Sequence, residues 1–412
     1  MTGSPALVLG RPLELPCGVT LGNRFLKSAM SEVLATRDNE PTRGLARLYG
    51  AWAEGGCGLV ITGNVMIDRQ HLGEPRNLVI DDERDLKGLR AIARAGTRGG
   101  TQLWVQLNHP GKQIPLLISA TSIAPSAVPL GAGLENYFAP PRAMTSEEVE
   151  GVVARFARSA EIAQRAGFSG VQIHGAHGYL VSQFLSPHHN RRTDRWGGDL
   201  EGRMRFVLEV YAAIRAAVGA AFPVGIKLNS ADFQKGGFSE EDSLEVAARL
   251  ADAGIDLIEI SGGNYEAPAM TGYRVRKSTQ EREAYFLGYA ERLRSRLDLP
   301  LAVTGGFRSA SGMSQAIASG AVDLVGLARP MAIDPWLPAK ILAGEDYHSQ
   351  VRHLTTGFRA VDALGMVNVT WYEHQLARIA QGRKPNPRLG VWLSIARTVY
   401  SNGVQSLQRR RG

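Results

Sequence analysis

The 412 residues, 44% of them hydrophobic, suffice for one large domain or two of ordinary size around a substantial core. Lys and Arg (47) outnumber Asp and Glu (39), giving +8, but the excess is dispersed apart from Arg409, Arg410 and Arg411, so a solvated basic surface is expected and no nucleic-acid partner. Two cysteines, Cys17 and Cys57, exclude a disulfide framework and any four-cysteine zinc or iron–sulfur site; the first residues carry no apolar leader and no long apolar run occurs, so a cytoplasmic chain without stable membrane insertion is expected.

Eight short apolar or β-branched runs recur along the chain: "FLKSAM" (25–30), "LVITG" (59–63), "LWVQL" (103–107), "GVQIHG" (170–175), "VGIKLN" (224–229), "LIEISGG" (257–263), "LAVTGG" (301–306) and "LVGLARP" (324–330). Helical periodicity separates them. Thr145 and Glu148 form a capping box before a helix that ends at Gly167, and Ser239 starts another that ends at Gly254. Continuous apolar strands alternating with helices predict a parallel sheet covered on both faces. Eight such units predict a (β/α)8 TIM barrel over 1–345 rather than a doubly wound sheet. Residues 346–412 then form a C-terminal helical extension. It has one helix stopping at prolines and another placing Trp392, Ile395, Val399 and Leu407 at helical spacing, with an interruption at Asn402 and Gly403. The extension is expected to pack on the barrel or on a neighbouring subunit. Two loops, 108–144 and 176–199, are long enough to cover a barrel mouth.

A barrel keeps its functional groups at the carboxyl ends of its strands. The fourth run ends in "HGAHGYLVSQFLSPHHN", with His174, His177, Tyr179, His188, His189 and Asn190 close together. Gly175 and Gly178 would let the chain turn so that the two imidazoles converge. Two neutral imidazoles can donate N–H groups to one substrate oxygen, and a phenol can protonate a carbanion-like carbon, which points to a bond conjugated to a carbonyl or nitro group. Each residue taken singly fits equally well as a turn or packing residue. A metal centre, with His188, His189 or Asp194 as further ligands, is the competing reading. "VTGG" and "LARP", with Gly305, Gly306, Gly326 and Arg329, mark the strand ends where barrels hold phosphate. Lys227, near the end of an apolar strand, calls for an anionic ligand or a buried carboxylate, with Asp232 as the nearby candidate. "GAGLEN" (131–136) lacks the third glycine, so no Rossmann unit is expected.

From about residue 11 to 345 the sequence resembles the Old Yellow Enzyme family of FMN-dependent ene-reductases, through "NRFLKSAMS", Gly63, "QLNHPG", "HGAHGYLVSQFLSPHHNRRTDRWGG", "VTGG" and "LARP" in the family's order. The resemblance implies FMN on the barrel mouth, with Ser28, Ala29, Met30 and Ser31 along the flavin and Gly63 and Gln106 at its ring. Gly305, Gly306, Gly326 and Arg329 would lie at its phosphate, and Lys227 beside the reduced ring. It further implies NADPH or NADH as electron donor, a small activated alkene as substrate, His174 and His177 gripping the substrate oxygen, Tyr179 as proton donor, and a homo-oligomer. Ser31 stands where relatives carry Thr or Cys, and Lys227 where Arg is more frequent. A flavin-dependent NAD(P)H oxidase or desaturase is the alternative activity. A flavin-binding or membrane-associated scaffold and a metal-dependent hydrolase are the remaining readings.

Overall fold

Eight parallel strands carry the architecture: β1 (Phe25–Lys27), β2 (Leu59–Met66), β3 (Gln102–Asn108), β4 (Gly170–Gly175), β5 (Val224–Asn229), β6 (Leu257–Ser261), β7 (Leu301–Thr304) and β8 (Leu324–Leu327). In this computed structural model each pairs with its neighbours in sequence, and β8 pairs with β1, which closes the sheet into a barrel. The structure describes residues 4–131, 133–267, 284–352, 354–358, 362 and 366–409, with only the backbone of 366 and of 401–409. All eight expected runs contain a strand. The main helices between them are α1 (Arg43–Glu54), α2 (Leu86–Gly96), α3 (Ser146–Ala166), α4 (Leu200–Val218), α5 (Glu240–Asp252), α6 (Leu287–Arg294) and α7 (Ala310–Ala318).

Alternation along each strand divides the apolar side chains into two sets. Val60, Val105, Val171, Ile226, Ile258, Val303 and Val325 point outward into the layer shared with the helices. Leu26, Leu59, Ile61, Trp104, Leu257, Ala302 and Leu324 fill the barrel interior. The bottom is plugged by an N-terminal hairpin pairing Leu13–Glu14 with Thr20–Leu21, whose Leu15 and Leu21 join the interior cluster. Trp104 occupies the barrel axis because Gly170 and Gly225 face it: a Cβ on either would fall 2.5 or 2.9 Å from the indole. Above this apolar floor the interior positions become polar, which prepares the mouth for chemistry.

Strand β2 departs from simple alternation. Ile61 pairs with Trp104 but Asn64 pairs with Gln106, so β2 carries one extra residue, a β-bulge at Thr62–Gly63. The bulge reverses the strand's parity, sending Val65 outward and Asn64 inward with Gln106. Periodicity alone would have placed Val65 inside.

The cap on α3 is as the sequence indicates: Thr145 Oγ1 accepts from Glu148 N, Thr145 N donates to the Glu148 carboxylate, and Gly167 closes the helix at φ 90°. Replacing Thr145 by Ala is expected to cost about 1 kcal/mol of unfolding free energy, the usual loss for an N-cap hydroxyl. Equilibrium denaturation measures it, and an unchanged midpoint would show that Glu148 alone holds the helix end.

Beyond the barrel, α8 (Met366–Ala380) buries Trp371, Tyr372 and Leu376 against the barrel's outer layer, where the Arg47 guanidinium of α1 donates to the Ala380 carbonyl at 2.7 Å. The last helix, α9 (Val391–Arg409), runs through Asn402 and Gly403 without the expected interruption, because neither residue removes a backbone donor. Its Trp392, Val399 and Tyr400 are exposed, while Ile395 packs on the core. The Leu407 side chain and the Arg409–Arg411 run lie outside the side chains described. Among the described residues no helix is long and apolar enough to cross a membrane.

Candidate active site

The mouth of the barrel holds two connected polar layers. In the lower one, Lys227 Nζ lies 2.9 Å from Glu259 Oε1, both side chains at most 3% exposed. Thr304 Oγ1 donates to the same carboxylate at 2.6 Å and Gln172 Nε2 at 2.7 Å. Gln106 in turn donates to Gln172 at 2.8 Å, and the Ser28 hydroxyl is 2.5 Å from that of Thr304. The partner of Lys227 is therefore Glu259 on the adjacent strand, where register sets the two residues side by side. Asp232 instead accepts from Phe238 N and Asn229 Nδ2. Burial by itself pushes the Glu259 carboxyl up, but the Lys227 ammonium and the donors from Thr304, Lys227 and Gln172 overcome it, and the group is held below its ordinary value.

The upper layer contains His174, His177 and Tyr179. His174 is the penultimate residue of β4, on its inward face, and the turn that follows the strand is tight: His177 has φ 62° and Gly178 φ 77°. Gly178 supplies that turn as expected. Gly175 instead stays within the strand, and it is small because a Cβ there would lie 2.9 Å from the Ile226 side chain and 3.0 Å from the Lys227 carbonyl. A left-handed histidine is uncommon, and here it brings His177 Nδ1 to 3.1 Å from His174 Nε2. His174 Nδ1 meets Asn64 Oδ1 at 2.8 Å, and His177 Nε2 meets Ser261 Oγ at 2.8 Å. The Tyr179 hydroxyl accepts from Asn64 Nδ2 at 3.3 Å and lies 3.0 Å from the Tyr265 hydroxyl. Burial is the main reason that both histidines are neutral: with His177 and Lys227 adding repulsion, His174 lies well below its ordinary value, and His177 is lowered to about 3. Burial likewise lifts Tyr179 well above the usual phenol value, so it holds its proton at neutral pH.

Beside these layers opens a cleft enclosing about 880 Å³, including solvent at its mouth. Ala29, His177, Lys227, Gly305, Gly306, Gly326 and Arg329 all line it, so seven of the residues singled out in the sequence share one cavity. His174 and Tyr179 join through the hydrogen bonds just described, and Ser28 and Gln106 through the polar layer below. Met30, Ser31 and Gly63 lie toward the β1–β2 side and are not among the residues that line this cleft. There Ser31 Oγ donates to Glu74, and Gly63 N donates to Glu32 Oε1 at 2.7 Å. Gly63 is small because the Glu32 carboxylate and the Met30 carbonyl occupy its Cβ position.

His189 lies 2.9 Å from Lys112 Nζ, and Asp194 accepts from Arg192, so neither is a third ligand beside His174 and His177. Asn190 donates to the Phe184 and Trp196 carbonyls and shapes the loop. Asp68, His71 and His109 bring potential ligand atoms within 4.8 Å of one another, but Arg155 stands 3.8 Å from Asp68, and His109 Nδ1 already accepts from Gly111 N.

Sequence reasoning overlooked Asn64, Glu259, Tyr265 and Arg308. A signal existed for Glu259, the lone carboxylate of an apolar run parallel to the lone cation of the preceding one. Asn64 was hidden by the bulge.

The cleft suits a phosphorylated flavin. One end presents Arg308 and Arg329, the latter without an ion-pair partner among the described residues, beside the backbone of Gly305 (φ 111°) and Gly306 (φ 94°). A phosphate needs such donors.

The family model for NADH:flavin oxidoreductase / NADH oxidase matches residues 9–347. The NADH-dependent flavin oxidoreductase iliE of Neonectria sp. (strain DH2) is 43% identical over 354 residues, 80% of this chain and 46% of that protein. The flavin oxidoreductase iccE of Talaromyces variabilis is 40% identical over 358 residues, 82% of this chain and 86% of that protein. Among solved structures, morphinone reductase superposes with a TM-score of 0.68 at 26% identity, covering 83% of this chain and 91% of that one. With the barrel, the phosphate-ready cleft and these matches in agreement, the chain belongs to the NADH:flavin oxidoreductase / NADH oxidase family, the Old Yellow Enzyme group, an enzyme using FMN and NAD(P)H.

Proposed function

We propose that this enzyme reduces C=C bonds conjugated to a carbonyl or nitro group at the expense of NADH or NADPH. The observation that carries the reading is the convergence of two neutral imidazoles and a protonated phenol beside the cleft. FMN, held by Ala29, Met30, Gly305, Gly306, Gly326, Arg308 and Arg329, supplies the hydride chemistry. His174 and His177 hold the oxygen that activates the alkene, and their N–H groups stabilise the negative charge developing on it. Neutral imidazoles suit this task because they donate without giving up a proton. Tyr179 delivers its proton to the carbon next to the activating group, its oxygen supported by Tyr265 and Asn64. Ser28, Ser31, Gly63 and Gln106 fix the wall and floor on which the cofactor rests.

The decisive test is the visible spectrum of the purified holoenzyme under anaerobic conditions. Absorbance near ~450 nm should bleach with NADH or NADPH and return on adding 2-cyclohexenone, as expected when the cofactor carries the redox chemistry. Bleaching reversed by oxygen and not by the enone would instead favour an oxidase.

A further inference from the structure

Asn64 touches both halves of the proposed machinery, His174 on one side and Tyr179 on the other. A carboxamide oxygen only accepts and its NH2 only donates, so Asn64 can meet these neighbours in two ways related by a half-turn of the amide. Each neutral imidazole carries one N–H, so the choice propagates.

With Oδ1 toward His174, the proton of His174 sits on Nδ1 and Nε2 is a lone pair. That lone pair accepts Nδ1–H of His177, whose Nε2 then accepts the Ser261 hydroxyl. Every ring nitrogen is satisfied without a substrate, but an incoming oxygen would meet one N–H and one repelling lone pair. With the amide turned, NH2 donates to His174 Nδ1 and the proton moves to Nε2. Two N–H groups then face each other across the 3.1 Å separation, and only an acceptor between them satisfies both.

Resting on the reading of His174 and His177 given above, we propose that Asn64 is a positioning residue whose amide turns when substrate binds, converting His174 from its Nδ1–H to its Nε2–H tautomer. The tautomerisation exchanges one proton with water at each nitrogen and leaves the net charge unchanged. Once Tyr179 has given up its proton, return of the amide NH2 toward the phenolate oxygen stabilises that anion and withdraws the second donor from the product. One amide thereby alternates between preparing the oxygen site and supporting the proton donor. The bulge in β2 is what aims Asn64 at both partners.

The test is 15N NMR of oxidised holoenzyme labelled at histidine, with and without saturating 2-cyclohexenone, the His174 signals being assigned by their loss in His174→Ala. Nδ1 of His174 should be the protonated nitrogen in the free enzyme and Nε2 in the complex. Asn64→Asp, which can only accept, should keep His174 in the Nδ1–H form with enone present and lower kcat/KM for the enone by roughly 10²-fold, the usual loss of one such donor. An enzyme that reduces the enone normally while His174 keeps one tautomer in both states overturns the inference alone. Reduced flavin that the enone never reoxidises overturns the function reading and this inference with it.

Discussion

Replacing His174 and His177 together by alanine is expected to lower kcat/KM for 2-cyclohexenone by at least about 10³-fold while the purified protein retains its flavin. Each N–H aimed at a developing oxyanion is ordinarily worth roughly 10² to 10³ in rate, because a buried site gives such donors no competition from water. The two imidazoles lie 3.1 Å apart at the end of β4, and neither is charged at neutral pH, so the loss is one of hydrogen bonding and not of an ion pair. Flavin retention follows from the geometry of the cleft. Arg308, Arg329, Gly305 and Gly306 form its far end, and only His177 of the pair lines it. Alanine at position 177 must adopt the φ 62° that His177 already holds, so unfolding should be followed in parallel. Steady-state kinetics and the flavin spectrum give the answer together. Turnover within tenfold of the parent would falsify the roles assigned to both residues.

Lys227→Met should destabilise the holoenzyme by about 3–5 kcal/mol, because it leaves the Glu259 carboxylate buried without its cation. Glu259 is fully buried, and Thr304 and Gln172 can solvate its oxygens but cannot neutralise it. Adding Glu259→Leu to the same variant should recover a substantial part of the loss, since a buried pair replaced as a unit costs far less than a pair broken. Denaturant unfolding at saturating FMN measures both. The sign with pH is fixed: a carboxyl depressed in the folded state contributes stability above its unfolded value near ~4.3, and loses it as pH falls through the folded value. Parent stability should therefore fall on acidification, and Glu259→Leu should flatten that slope. A Lys227→Met loss below about 1 kcal/mol would mean that Glu259 takes up a proton in place of its partner.

Much of the molecule was legible from the chain alone. The eight strands, the capping box at Thr145, the left-handed stop at Gly167 and the strand ends that gather at the mouth are local properties. An apolar run of given length, or a hydroxyl three residues before a glutamate, has the same physical consequence wherever it stands. Parallel connection then places all carboxyl ends on one side, which is why Ala29, Lys227, Gly305, Gly306, Gly326 and Arg329 could be grouped from sequence and do share a cleft.

What the chain could not reveal by itself is which of these groups meet. Lys227 finds Glu259, 32 residues on, and not Asp232, five residues on, because strand register and not chain proximity sets its neighbour. Asn64 reaches His174 across 110 residues, and only because one extra residue in β2 turns its side chain inward. Tyr265 arrives at Tyr179 from the loop after β6. Composition, periodicity and capping therefore determined the barrel and the side of it that works. Barrel closure, register and one bulge decided the hydrogen-bond partners, since a side chain's direction depends on pairings between strands far apart in the sequence.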